Sequence, residues 1–149
     1  MAQGDAKNFN DFVLKINQGD YNDGDTLSLA FISNTYASVS SDLTNPQLSN
    51  VTVVSGGNVA ASYTLTGTTV TRTGSTIDFA ANNIGTIAKD ASNPSPLCAV
   101  IYNNTSTNDD LYKIYDLTTD GTTGLDLVNN DFTLTFDGGL LITATNLST

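Results

Sequence analysis

The sequence predicts an all-β protein: an antiparallel two-sheet sandwich, jelly-roll-like, with a short N-terminal arm or helical turn. Three observations predict it. All 15 acidic residues are Asp and none is Glu; Glu favours helix interiors, whereas Asp favours turns and caps. Short apolar runs recur between Gly, Asn, Asp and Ser clusters, the punctuation of a sandwich or barrel. No segment of helical period rivals the alternation of the strand-like runs. About eight to ten short strands result, which suits two packed sheets.

The first alternating run is Phe12-Val13-Leu14-Lys15-Ile16, with Phe12, Leu14 and Ile16 on one face. Asp20 to Asp25 forms a polar turn, and Thr26 to Ser33 a second strand, so the two runs are expected to pair as a hairpin. Asn34 to Asn50, with Pro46, is a long loop with one helical turn near Asp42 and Leu43. Val51 to Val54 is a strand, and Gly56-Gly57-Asn58 a turn. Tyr63-Thr64-Leu65 and Thr69 to Arg72 flank Thr66-Gly67-Thr68 as a tight hairpin. Ile77-Asp78-Phe79 alternates, and Ile84 to Ile87 is a further short strand.

Lys89 to Pro96 is a second loop, stopped by its two prolines. Leu97 to Tyr102 is the most continuous apolar run and belongs at a sheet centre. After the polar turn Asn103 to Asp110, Leu111, Lys113, Tyr115 and Leu117 alternate with Tyr112, Ile114 and Asp116. Phe132 to Phe136 is the clearest strand pattern, with Phe132, Leu134 and Phe136 inward and Thr outward. Asp137-Gly138-Gly139 turns the chain into a last strand from Leu140 to Ala144. Without repeats or a linker, residues 1–149 read as one sandwich domain, with 1–11 as an arm or short helix.

At 149 residues, such a domain buries roughly 68–70% of its unfolded surface, so it needs neither metal nor disulfide to fold. Cys98 is the single cysteine and has no intrachain partner; its apolar neighbours assign it to the core. The formal charge is −10, and the five basic residues, Lys7, Lys15, Arg72, Lys89 and Lys113, are scattered. That pattern argues against nucleic acid and anionic membranes, which need clustered cations. Net negative charge serves solubility, or a basic partner surface. No apolar stretch approaches the roughly 18 residues of a membrane span, and the polar start Met1 to Asp5 does not resemble a signal peptide. The expectation is a protein made in the cytoplasm of its host cell without export.

Catalytic chemistry is hard to assemble from this alphabet. His, the commonest general base, is absent, a core Cys alone is no nucleophile system, and no phosphate-binding glycine loop occurs. The expectation is a protein that is not an enzyme and uses no cofactor and no metal. Asp20-Tyr21-Asn22-Asp23-Gly24-Asp25 has part of the pattern of a calcium-binding loop, with Asp20 and Asn22 at the first and third positions. Its glycine falls one position early and the terminal bidentate Glu is replaced by Phe31, which favours a plain acidic turn. Asn108, Asp109, Asp110 and Asp116 are a second, equally weak cation set. A sugar platform would have to use Tyr21, Tyr36 or Tyr63, since Trp is absent.

Five pieces of the chain carry a resemblance. They are Gly4-Asp5-Ala6-Lys7-Asn8-Phe9-Asn10-Asp11-Phe12, Asp25 to Ser33, Leu65-Thr66-Gly67-Thr68-Thr69-Val70-Thr71, Ala99 to Thr105, and Asp131 to Phe136 with Gly139 to Ile142. In this order, over most of the chain, they resemble the small decoration (cement) proteins of tailed-phage heads. Many of those carry a Trp ahead of the "Ile-Tyr" run, and an Asp where Asn104 stands here. The resemblance implies a homotrimer on the outer capsid surface of the virion, whose partner is the major capsid protein and which acts without a small-molecule substrate. In the N-terminal segment, Lys7, Phe9, Phe12 and Lys15 set apolar and basic groups into an acidic chain. They either dock on the capsid or, in the case of the two Phe, close the core. Asn34 to Asn50 and Asp90 to Pro96 are further docking candidates. A tail or head-fibre part and a glycan-binding sandwich are the alternative functions.

Overall fold

The computed structural model describes residues 4–18, 24–73, 76–136 and 140–145. Among the described residues, eight strands form two antiparallel sheets and one α-helix accompanies them. The elements are β1 (Ala6–Asn8), α1 (Asn10–Gln18), β2 (Leu27–Ile32), β3 (Tyr63–Thr64), β4 (Thr69–Thr73), β5 (Thr76–Ala80), β6 (Cys98–Asn103), β7 (Asp110–Asp116) and β8 (Leu140–Thr145). The larger sheet has the order β1-β7-β6-β2-β3 and the smaller β4-β5-β8. This is the two-sheet, all-β architecture that the composition predicts.

The central position of β6 follows from its sequence. Cys98, Ala99, Val100, Ile101 and Tyr102 are all buried, as is every residue of β2. A strand covered on both faces reads as a continuous apolar run rather than an alternation. The register then sorts side chains into rows. Phe31, Ala99, Tyr115 and Ala6 lie in line on one face; Ala30, Val100, Ile114 and Lys7 lie in line on the other. Phe132 meets Phe31 edge-on at 6.2 Å, and Phe136 meets Tyr115 at 6.2 Å, so the chain from 132 to 136 crosses the first face. On the second, Lys7 reaches Tyr36 and brings the 33–47 loop over the sheet.

Several expectations need correction. Phe12 to Ile16 lies in helix α1, not in a strand, so no hairpin joins it to β2. Phe9 and Phe12 stand three apart and are 0% and 1% exposed, while Leu14, which alternation would bury, is 52% exposed. Asp11 in the first turn and Lys15 in the last match the helix dipole. Ala6–Asn8 of the expected arm is strand β1, paired with β7. The supposed hairpin around Gly67 is instead a passage between sheets: β3 pairs with β2, and β4 with β5. Gly67 takes φ +62°, and a Cβ there would stand 2.6 Å from the Asn82 side chain.

The runs 51–54, 84–87 and 132–136 each contribute only isolated bridges, Ile32 to Val53 and Ile87 to Phe132. The inward–outward alternation of Phe132 to Phe136 is nevertheless present: Thr133 and Thr135 are exposed and Phe136 is buried. The helical turn expected near Asp42 and Leu43 lies further along the loop instead, as a 3-10 turn at Leu48–Asn50, where the Gln47 amide donates to Asn50 Oδ1 at 2.8 Å. Of the turn expected at Asp20 to Asp25, residues 20–23 lie outside the described residues, as does the whole of the expected turn at 137–139.

The polar turn between β6 and β7 is organised by one buried residue. Asn103 donates through Nδ2 to Asp25 Oδ2 (2.8 Å) and to the Tyr112 hydroxyl (2.9 Å). Its Oδ1 accepts from the Thr105 and Ser106 amides. A buried amide satisfied in this way fixes the turn without exposing apolar surface.

Candidate functional site

The four residues singled out in the N-terminal segment are drawn into the fold. Phe9 is fully buried, and Phe12 packs between the two sheets against Tyr112 and Phe79. Both therefore close the core, and neither presents apolar surface to a partner. The Lys7 ammonium donates to the Tyr36 carbonyl at 3.0 Å and sits 4.4 Å from the centre of the Tyr36 ring. Lys15 pairs with Asp110 at 3.0 Å and with Asp11 at 3.8 Å. Asn10 bonds to Asp42 and ties the start of α1 to the long loop. The segment is thus a clasp across β7 and the 33–47 loop.

Tyr36 and Tyr63 are built in as well. The Tyr36 phenol is pushed up by burial, with Asp5, Asp116 and Cys98 adding to the shift. Tyr63 packs edge-on against Phe31 at 5.7 Å, and its hydroxyl accepts from the Ala60 amide at 2.9 Å. Tyr21 lies outside the described residues. Asp110 and Asp116 stand at opposite ends of β7. At about 3.3 Å per residue they do not converge on one cation, and the described residues hold no group of three or more His, Cys, Asp or Glu placed to bind a metal.

Lys7, Lys15 and Lys113 are partly buried, whereas Lys89 is exposed together with Asp5, Asp42, Asp120, Asp126 and Asp131. Asp120 and Asp126 sit in exposed loops, each gripped locally. Asp120 Oδ1 accepts from the Thr122 and Thr123 amides at 2.8 and 2.6 Å, and Oδ2 from the Thr123 hydroxyl at 2.6 Å. These bonds, the Thr123 hydroxyl first, hold its carboxyl below the ordinary range. The Asn129 side chain does the same for Asp126. Such carboxylates stay charged well into acid.

A site that the sequence reading missed lies under the 132–136 segment. A cleft of about 420 Å³ opens between it and the sheet. Its floor is one face of β1 and β7, with Ala6, Lys113 and Tyr115; its roof is Phe132, Leu134 and Phe136. Small Ala6 next to bulky Tyr115 leaves the room. The Lys113 ammonium lies 5.1 Å from the Tyr115 ring centre. Burial lowers the Lys113 pKa and raises that of Tyr115. The signal was present in the alternation of β7, which puts a lysine on the same face as Tyr115.

No family model matches the chain, and neither a curated protein nor a solved structure matches it.

Proposed function

We propose that this protein is a capsid decoration protein of a tailed phage, binding the outside of the assembled head and stabilising it by bridging capsid subunits. The ordered resemblance along most of the chain supports this reading, and it implies a jelly-roll connectivity and a trimer. The observation that carries it at the level of geometry is the placement of charge. The chain has net charge −10. Of its basic side chains, Lys7 and Lys15 are engaged within the fold and Lys113 is half-buried in the cleft. With Lys89 the one exposed lysine among the described residues and Asp5, Asp42, Asp120, Asp126 and Asp131 exposed, the surface of the two-sheet body carries more acidic than basic groups, which suits a basic partner surface rather than phosphate. Docking falls to the exposed loops, such as 40–50 and 118–131, and not to Phe9 and Phe12.

A protein that binds the assembled shell but not free subunits stabilises the shell by mass action. If three copies associate, weak contacts add up to avidity gains of roughly 10²–10⁴. The test is rebinding of purified protein to cognate heads stripped of decoration, with light scattering to give the number of copies per oligomer. Binding to heads, none to free capsid protein, and a decline with added salt are expected, because exposed charges are screened beyond about 10 Å at 0.1 M salt. Immunogold label on tails instead of heads would overturn the reading.

A further inference from the structure

We propose that the cleft between β7 and the 132–136 segment is a binding site for a small apolar carboxylate. The acid group pairs with Lys113, and the apolar body lies between Tyr115 and the Phe132, Leu134 and Phe136 side chains. This goes beyond capsid docking and does not depend on it.

Size is the first argument. About 420 Å³ falls within the roughly 300–1,000 Å³ of small-molecule pockets; the lining is mainly apolar, and its two charged residues are Lys113 and Asp116, of which Asp116 alternates with Lys113 and Tyr115 along β7 and accepts through Oδ1 from the Thr118 amide and hydroxyl. Charge is the second, and it fixes the class of ligand. The chain holds three times as many acidic as basic residues, yet among the described residues both ion pairs are made by Lys15 and none reaches Lys113. A half-buried ammonium has lost part of its hydration, and burial depresses its pKa accordingly. Its aromatic neighbour returns part of that loss through the ring face. An anion in the cleft supplies the missing counter-charge. A cationic ligand would meet repulsion there, and a neutral one would leave the ammonium as it is.

Geometry is the third argument. Lys113 and Tyr115 are two apart on one strand face, so about 7 Å separates their Cα atoms. A carboxylate at the amine therefore carries its apolar chain across the phenol and under the roof. Thr133 and Thr135, which alternate with the roof residues, are exposed at its outer side.

The experiment uses the full chain and octanoate as probe, with octylamine and octan-1-ol as controls of equal length. Calorimetry gives affinity, and ¹⁵N-resolved amide shifts give location. Octanoate is expected to bind and to shift Ala6, Lys113, Tyr115 and Leu134. Octylamine and octanol are expected to bind at least roughly tenfold more weakly, the value of one charge-assisted hydrogen bond. Lys113→Met keeps the apolar stem and is expected to bring octanoate down to the level of octanol, while Lys113→Arg retains the preference. Thermal melts confirm that each variant is folded. The proposal is overturned if octanoate does not bind, if octylamine binds as well, or if Lys113→Met leaves octanoate affinity unchanged. It is equally overturned if octanoate fails and Lys113→Met alters the oligomer mass, since the cleft is then a contact between copies.

Discussion

Phe12 lies flat on Tyr112, with ring centres 4.0 Å apart and planes 28° from parallel. The same Phe12 ring meets Phe79 at 5.7 Å and 64°. One helical side chain thus joins β7 of the large sheet to β5 of the small one.

Phe12→Ala is accordingly expected to cost about 3–5 kcal/mol, the range for emptying a buried Phe site. The urea midpoint should fall with little change in slope. Leu14→Ala, two residues along at an exposed position, is the control and is expected within about 0.5 kcal/mol of the parent. Equal effects from both would mean that α1 does not hold the sheets together.

The contrast between these two residues also shows what was legible in the sequence. Phe12, Leu14 and Ile16 fit a period of two; Phe9, Phe12, Val13 and Ile16 fit 3.6. Over so few residues both periods fit, and tertiary packing decides. The buried run of β6 had no such rival, so its central place could be read directly. Phe132 to Phe136 carried the right side-chain alternation without a ladder, because facing inward is a matter of packing and strand pairing needs a neighbour in register. Turn chemistry at Gly67 gave a bend, but not which sheet each arm joins. The cleft was legible only in part: alternation puts Lys113 on the face of Tyr115, but its floor also takes Ala6 from the far end of the chain and its roof comes from 132–136, about 20 residues beyond β7, which only the tertiary fold brings together.

Asn93 offers a test of how the irregular half of the chain is held. Buried at 7% exposure, it donates through Nδ2 to the Ala88 and Leu127 carbonyls at 3.0 and 2.9 Å. Its Oδ1 accepts from the Asn58 amide at 2.7 Å. Three loops meet on this one amide. Asn93→Ala is expected to lose roughly 1–3 kcal/mol by leaving buried backbone groups unpaired. Asn93→Asp should be the worse of the two, because it sets a carboxylate oxygen against two carbonyls. Equilibrium unfolding of both variants checks the order, and an Asp variant as stable as the parent would refute it.

Cys98 is fully buried in the central strand, and burial, with Asp116 adding to it, pushes its thiol up to about 12. The reactive species is the thiolate. Native protein at neutral pH is therefore expected to resist iodoacetamide, and urea-unfolded protein to react at the rate of a free thiol, read by intact mass. The raised value also means that this thiol contributes stability below its unfolded pKa of about 8.5, lost as pH climbs from there through the folded value. Rapid alkylation of the native form would show that β6 opens far more readily than its packing implies.

Asp120 and Asp126 set the behaviour of the acidic loops in acid. Both carboxyls are held below the ordinary Asp value, Asp120 mainly by the Thr123 hydroxyl and Asp126 mainly by the Asn129 side chain. A depressed folded value means that the contribution is present above the unfolded pKa of about 3.9 and fades as pH falls through the folded one. Because both groups are exposed, the loss should be local: amides of Thr122, Thr123 and Asn129 lose protection relative to their intrinsic exchange rates at low pH while the β6 amides stay protected. Carbon-detected titration of the side-chain carboxyls reads the midpoints directly. Thr123→Val removes the leading cause for Asp120 and is expected to raise its midpoint toward the ordinary value, leaving Asp126 where it was. If Asp120 titrates normally in the parent protein, or Thr123→Val moves both residues alike, the loop is not held by these hydrogen bonds.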